Sequence, residues 1–174
     1  MSTAVIDAPN SAHERVRAAL EAKPGVLLEL VAQQEEVPLR SVLDALPPEE
    51  MMSIAGDRFD DVWKELMQWG KLLFLVHTRD IVLEIKGSLP EGSYAHGYFN
   101  VHGDSPIAGH FRAHHCTEIC LVDRIFQTKR SCSVWFFNEL GECMFKMFVI
   151  RGEDRELKAD QLARFEAMKK SFAS

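Results

Sequence analysis

A chain of 174 residues has the size of one domain, or of one domain with a small helical appendage. With 47% hydrophobic and 26% charged residues it has a globular composition, which excludes wholesale disorder and allows a sizeable core. A formal net charge of −6 argues against a life on nucleic acid or on an anionic membrane surface.

The first half reads as helical. Val16, Ala19 and Leu20 give residues 12–22 a short amphipathic pattern, stopped by Pro24-Gly25. Leu27, Leu30 and Val31 repeat it over residues 26–33. Pro38 suits a first helical turn, and Leu39, Val42, Leu43 and Leu46 form a stripe that Pro47-Pro48 ends. Three short helices in series resemble a helix-turn-helix unit. Residues 25–46, however, hold one cation, Arg40, against Glu29, Glu35, Glu36 and Asp44, which cannot grip phosphate. A packing role for these helices is expected instead, with no nucleic acid as partner. Phe59, Val62, Trp63, Leu66 and Met67 predict a fourth helix over residues 59–69, with Asp57 placed to cap it and Gly70 to end it.

After Gly70 the period changes from helical to two. Residues 71–78 and 81–86 read as a hairpin around Arg79-Asp80, with Val82, Glu84 and Lys86 sharing one face. Strands are expected over residues 94–101, 107–113, 117–125, 131–138 and 143–150, and a final helix over 154–172 with Leu157, Leu162, Phe165, Met168 and Phe172 inward. Helices, then strands, then one helix predict an α+β fold with a large antiparallel sheet. Residues 12–70 would form an N-terminal helical segment packed on a sheet-and-helix unit of residues 71–174, the whole being best treated as a single domain.

No run is long enough to cross a bilayer, and residues 1–10 carry no basic segment followed by an apolar one, so no membrane insertion and a cytoplasmic location are expected. Cys116, Cys120, Cys132 and Cys143 contain no Cys-x-x-Cys pair and are read mostly as buried thiols. The histidines carry more information. Six of the seven lie between His77 and His115, together with both tyrosines, Tyr94 and Tyr98. In a strand, His96, Tyr98, Asn100 and His102 would share one face, as would His110, Arg112 and His114. A solvent-exposed sheet face explains that pattern as well as a ligand site does. His114 and His115, adjacent in a strand, would point apart. His77 ends the apolar run Leu72-Leu73-Phe74-Leu75-Val76, where a hydrogen-bonded core histidine is the plainer reading. A haem, however, needs an apolar slot, an imidazole or phenolate for iron and cations for its propionates. The region offers apolar walls, several His and Tyr, and Arg112, Lys86 and Arg79. No Walker loop, His-Glu-x-x-His, Gly-x-Ser-x-Gly or dinucleotide fingerprint competes.

A family resemblance runs through these same strings. Gly56-Asp57-Arg58-Phe59-Asp60 with Val62-Trp63, Trp69-Gly70, Leu75-Val76-His77-Thr78 and Gly87-Ser88-Leu89-Pro90-Glu91-Gly92 resemble the cytosolic haem-utilisation carriers of the HutX/ChuX type. The likeness continues through His96-Gly97-Tyr98-Phe99-Asn100, Gly109-His110 and Trp135-Phe136-Phe137-Asn138, and covers the chain from about residue 15. It implies a homodimer that binds haem b in the cytoplasm and delivers it to a haem-degrading enzyme. By the same resemblance His77, His110 and Tyr98 are the candidate haem-iron ligands. His96 joins them by sharing the expected strand face of Tyr98, and Arg112 as a propionate partner. The alternative is a haem-degrading enzyme using an external reductant, and a third reading is a regulatory module built on the N-terminal helices.

Overall fold

The computed structural model describes residues 11–173, so the residues 1–10 used to judge an export signal lie outside the described part. The order is α1 (Ala12–Ala22), α2 (Leu28–Gln34), α3 (Leu39–Leu43), β1 (Met51–Ala55), a 3-10 turn at Gly56–Arg58, and α4 (Phe59–Met67). Then come β2 (Lys71–His77), β3 (Val82–Ser88), β4 (Gly92–Ala95), β5 (Tyr98–Val101), β6 (Gly109–Phe111) and a second 3-10 turn at Ala113–His115. The chain ends with β7 (Cys116–Phe126), β8 (Lys129–Asn138), β9 (Cys143–Phe148) and α5 (Ala159–Phe172). Six strands form one sheet in the order β1-β7-β8-β9-β2-β3, every neighbouring pair antiparallel, and β4-β5-β6 form a smaller one. The fold is α+β, with the N-terminal helices, large antiparallel sheet and C-terminal helix that the changing period predicts.

Strand alternation divides the large sheet into two unlike faces. One carries Leu72, Phe74, Ile119, Leu121, Val134, Phe136, Phe145 and Met147, buried under α4, α5 and the small sheet. Trp63 of α4 is central there. It makes edge contacts with Phe99, Phe111 and Phe145 at centroid distances of 5.1, 5.4 and 6.3 Å, and its indole N–H donates to the Pro90 carbonyl at 3.0 Å. The α5 end is pinned by Gln161, whose fully buried amide donates to the carbonyls of Trp69 and Lys71 at 2.8 and 2.6 Å. The other face carries Cys120, Val122, Trp135 and Phe137, packed against Val16, Leu28, Val31, Val42 and Leu43 of α1–α3. Those helices bury mainly the β1-β7-β8 side of that face, with α2 reaching the edge of β9 and β2 through Glu29. The side formed by β9, β2 and β3 is left open.

Several boundaries differ from the sequence reading. β1 lies inside the stretch taken as helical, because only Ile54 of Met51–Ala55 is buried and an edge strand leaves little alternation to see. The expected strand over 94–101 is two strands, β4 and β5. Their link is His96-Gly97, with φ of 53° and 79°, the backbone of a tight two-residue hairpin loop. His96 therefore sits in a turn and does not share a strand face with Tyr98. Only Gly109–Phe111 of the expected strand 107–113 is strand, and Arg112 and His114 leave the sheet before and within the 3-10 turn. Asp57 makes no cap, since a 3-10 turn feeds directly into α4. There Gly56 permits a close crossing: a Cβ on it would meet the Cys116 carbonyl oxygen at 2.2 Å. α5 starts at Ala159, after a loop closed by the Arg151–Leu157 bridge.

Two carboxylates tie the elements together. Asp123 accepts from Arg130 at 2.8 and 2.7 Å and from Lys169 of α5 at 3.4 Å, and the Arg130 guanidinium holds its carboxyl below the usual aspartate value of 3.8. Burial would push Glu118 up, but the Arg40 fork, at 2.6 Å to each oxygen, and the Ser53 hydroxyl more than offset it and hold it below 4.5. Both groups have lower pKa values folded than unfolded. Their stabilisation is complete above the ordinary values of 3.8 and 4.5 and is lost as pH falls through the folded ones. Thermal midpoints should therefore drop on acidification below about pH 4.5, and Asp123→Asn should flatten that drop. An equally steep acid profile in Asp123→Asn would refute the assignment. The same Arg40 fork occupies the only cation of residues 25–46.

Candidate functional site

The open half of the large sheet is a cleft of about 720 Å³, within the range of small-molecule sites. Its floor is apolar: Leu73 and Leu75 of β2, Val82 of β3, Trp135 of β8 and Phe148 of β9, with Leu27 and Leu28 forming a wall at the start of α2. These side chains arise from the odd positions of β2 and the even positions of β3, the register that pairs Leu73 with Lys86 and His77 with Val82. His77 is in this cleft, at the end of β2 and 19% exposed.

His77 is hydrogen-bonded, as a core histidine would be, but to a carboxylate on the cleft wall. Its Nδ1 lies 3.1 Å from Oε1 of Glu29 on α2. A carboxylate only accepts, so in the neutral ring Nδ1 carries the proton and Nε2 keeps the lone pair. That division is how metal-ligating histidines are oriented and made more basic. The same Glu29 oxygen also accepts from Lys146 of β9, whose ammonium lies 3.4 Å from the Trp135 ring centroid. The other oxygen, Oε2, is buried with no hydrogen-bond partner among the described residues. Five cations line the cleft, Lys86, Arg124, Lys129, Lys146 and Arg151, against Glu29 and Glu84. Arg124 donates to the Val26 carbonyl at 2.8 Å and Arg151 to the Arg130 carbonyl at 2.5 Å. Lys86 and Lys129 make no ion pair among the described residues and are exposed at the rim.

The remaining candidates assemble elsewhere. Tyr98, Asn100 and His110 lie on the outer face of the small sheet, whose inner face buries Phe99 and Val101 against α4. His110 Nδ1 is 2.6 Å from the side-chain oxygen Oδ1 of Asn100, and its ring stands 6.0 Å from Tyr98 and 5.7 Å from His102. Arg112 donates to the Tyr98 hydroxyl at 3.0 Å and lies 5.2 Å from that ring centroid. Tyr98, His110 and Arg112 therefore come together, without His77. They do so on the side of the large sheet opposite to His77, so one protomer does not bring His77 and His110 to a single iron. His96 stands apart in its turn, and Arg79 is exposed in the β2–β3 turn outside the cleft lining. Tyr94 donates to Asp60, and burial followed by that bond pushes its phenol up, away from phenolate chemistry. His114 and His115 do not point apart. The 3-10 turn brings their rings to 4.4 Å, yet the described residues hold no group of three or more His, Cys, Asp or Glu placed for a metal.

Cysteine ligation is disfavoured on physical grounds. Burial pushes the Cys116 thiol up to about 11 and those of Cys120, Cys132 and Cys143 up to about 12, so all four stay protonated near neutrality.

Sequence reasoning overlooked Glu29 and Lys146. Both had a signal: each is a charged residue inside an apolar run, Leu28-Glu29-Leu30-Val31 and Phe145-Lys146-Met147. Such a residue at an inward position requires a partner. Which partner is a matter of tertiary structure, since 117 positions separate the two.

The family model for haem utilisation ChuX/HutX matches residues 52–168, and the chain belongs to that family. The intracellular heme transport protein HutX of Vibrio cholerae is 31% identical over 159 residues, 91% of this chain and 82% of that one. The crystal structure of protein AGR_C_4470 from Agrobacterium tumefaciens is 47% identical, with a TM-score of 0.87 over 99% of this chain and 98% of that one. The heme binding protein ChuX is 36% identical, with a TM-score of 0.83 over 91% and 99% of the two chains. Among the described residues no helix is long and apolar enough to cross a membrane.

Proposed function

We propose that this protein is a cytoplasmic haem carrier that takes up haem b after import and passes it to a haem-degrading enzyme. The observation that carries the reading is the cleft. In a chain of net charge −6, an apolar floor, one carboxylate-backed imidazole and a surplus of cations converge in one place. The macrocycle would lie on Leu73, Leu75, Val82 and Phe148, His77 Nε2 would face iron, and Lys86 and Lys129 would meet the propionates. No Cys-x-x-Cys pair exists to tether a porphyrin covalently, which suits a removable cargo and haem b. A single imidazole in a half-open cleft also suits release better than two locked ligands. The transport protein HutX and heme binding protein ChuX support the same reading by their names and their likeness to this chain.

Homodimerisation is proposed with it. β3 is an outer strand of the large sheet, and it and the turn before it expose Ile81 and Leu83 at positions alternate to the cleft residue Val82, an edge and a patch that suit a second copy. Sedimentation equilibrium measures the state directly, and a monomer at micromolar concentration would refute the dimer.

The function is tested by titrating haemin into the protein, following the Soret band, then adding ascorbate and an apo haem acceptor. Saturable one-to-one binding, a stable spectrum under ascorbate and transfer to the acceptor are expected. Absence of saturation refutes haem binding. Steady bleaching with release of an open-chain tetrapyrrole refutes the carrier in favour of a haem-degrading enzyme.

A further inference from the structure

We infer that Glu29 is the positioning residue that sets the ligand strength of His77, and that Lys146 moderates it by competing for the same carboxylate oxygen. The inference rests on the reading of the cleft as a haem site and concerns how that site is tuned.

Oε1 of Glu29 accepts from two donors, the His77 imidazole at 3.1 Å and the Lys146 ammonium. All three side chains are largely withdrawn from water, at 19%, 15% and 4% exposure for His77, Glu29 and Lys146. In such surroundings electrostatic coupling between them is strong. A carboxylate on Nδ1 transfers negative charge into the ring and makes Nε2 a better donor to a metal. An ammonium on the same oxygen draws that charge back. Lys146 is itself held in place by the Trp135 face at 3.4 Å, so it cannot swing away without losing a cation–π contact.

Glu29 is fixed from its own side as well. The segment before α2 is tied to the β7–β8 hairpin, where Gln127 N–H donates to the Gly25 carbonyl at 2.9 Å and Arg124 donates to the Val26 carbonyl at 2.8 Å. Gly25, at φ 78°, lies so close to Gln127 that a Cβ there would stand 2.6 Å from its carbonyl oxygen. The carboxylate is therefore preorganised by the fold, as positioning of a ligand requires. Its second oxygen is buried and has no hydrogen-bond partner among the described residues, so both donors converge on Oε1.

The test uses haem-loaded full-length protein reduced to the ferrous state, with the Fe–N(His) stretching band read by resonance Raman and the reduction potential by spectroelectrochemistry. Glu29→Gln keeps the shape and removes the charge. It should lower the Fe–N(His) frequency, raise the potential and weaken haem binding by roughly 10- to 100-fold. Lys146→Met removes the competing donor and should move frequency and potential in the opposite directions. A residue that merely supports the fold would not produce opposite shifts. If either variant fails to fold, the sign of the other's shift still decides. Unchanged frequencies in the variants that fold, with the band lost in His77→Ala, overturn the inference and leave the cleft reading standing. Retention of the wild-type band in His77→Ala overturns the ligand assignment itself, and the inference with it.

Discussion

His77→Ala is expected to weaken haem binding by on the order of 100-fold, roughly 2.7 kcal/mol, and to shift the Soret band. The size follows from what is removed. Partners of a metal ligand typically account for 10- to 100-fold in affinity, and the ligand itself should reach the upper end of that range or beyond. The apolar floor and the rim cations survive the substitution, so residual binding should persist as a weaker complex with an altered band. Folding should survive the substitution, because the ring sits at the end of β2 and Glu29 keeps Lys146 as a hydrogen-bond donor. His110→Ala and Tyr98→Phe serve as the comparison. Both residues belong to an exposed cluster on the far side of the large sheet, and each should cost less affinity than His77→Ala. The reverse order in the same titration would move the iron site from the cleft to the small sheet.

Trp63→Ala is expected to destabilise the fold by about 3–5 kcal/mol, a large part of the ~5–15 kcal/mol typical of a domain. Trp63 is 1% exposed. It joins α4 to the small sheet through Phe99 and Phe111 and to the large sheet through Phe145, so its loss opens a cavity where three layers meet. It also strands the Pro90 carbonyl, which accepts its indole N–H. Urea denaturation followed by far-UV circular dichroism measures the loss. A change below about 1 kcal/mol would mean that the site collapses and repacks, against the close packing described. Trp63→Phe, which keeps an aromatic ring, should recover part of the difference.

Much of this architecture can be read along the chain, and the exceptions share a cause. β2 and β3 are legible because alternation runs uninterrupted to His77 and resumes at Val82. α4 is legible because Phe59, Val62, Trp63 and Leu66 mark one buried face. β1 is not, since at the sheet edge its burial is confined to Ile54. The turn at His96-Gly97 was hidden for another reason. A two-residue hairpin interrupts the alternation so briefly that the flanking residues still read as one strand, and only two successive positive φ values reveal it.

For the candidate site, the chain by itself determined the chemistry within reach: imidazoles and phenols concentrated between His77 and His115, cations nearby, no thiol pair, and family strings that carry His77, Tyr98 and His110. Only the tertiary structure decided which of these groups stand together. Strand pairing puts Tyr98, Asn100 and His110 on one outer face, and the burial of Phe99 and Val101 beneath them sends that face away from the large sheet. His77 faces the opposite side because it shares the parity of Leu73 and Leu75. Its partner Glu29 comes from a helix 48 positions earlier and Lys146 from a strand far downstream, joined when α1–α3 cover only half of the sheet. Local periodicity states which face a side chain takes. What covers that face depends on long-range packing, which no local pattern encodes.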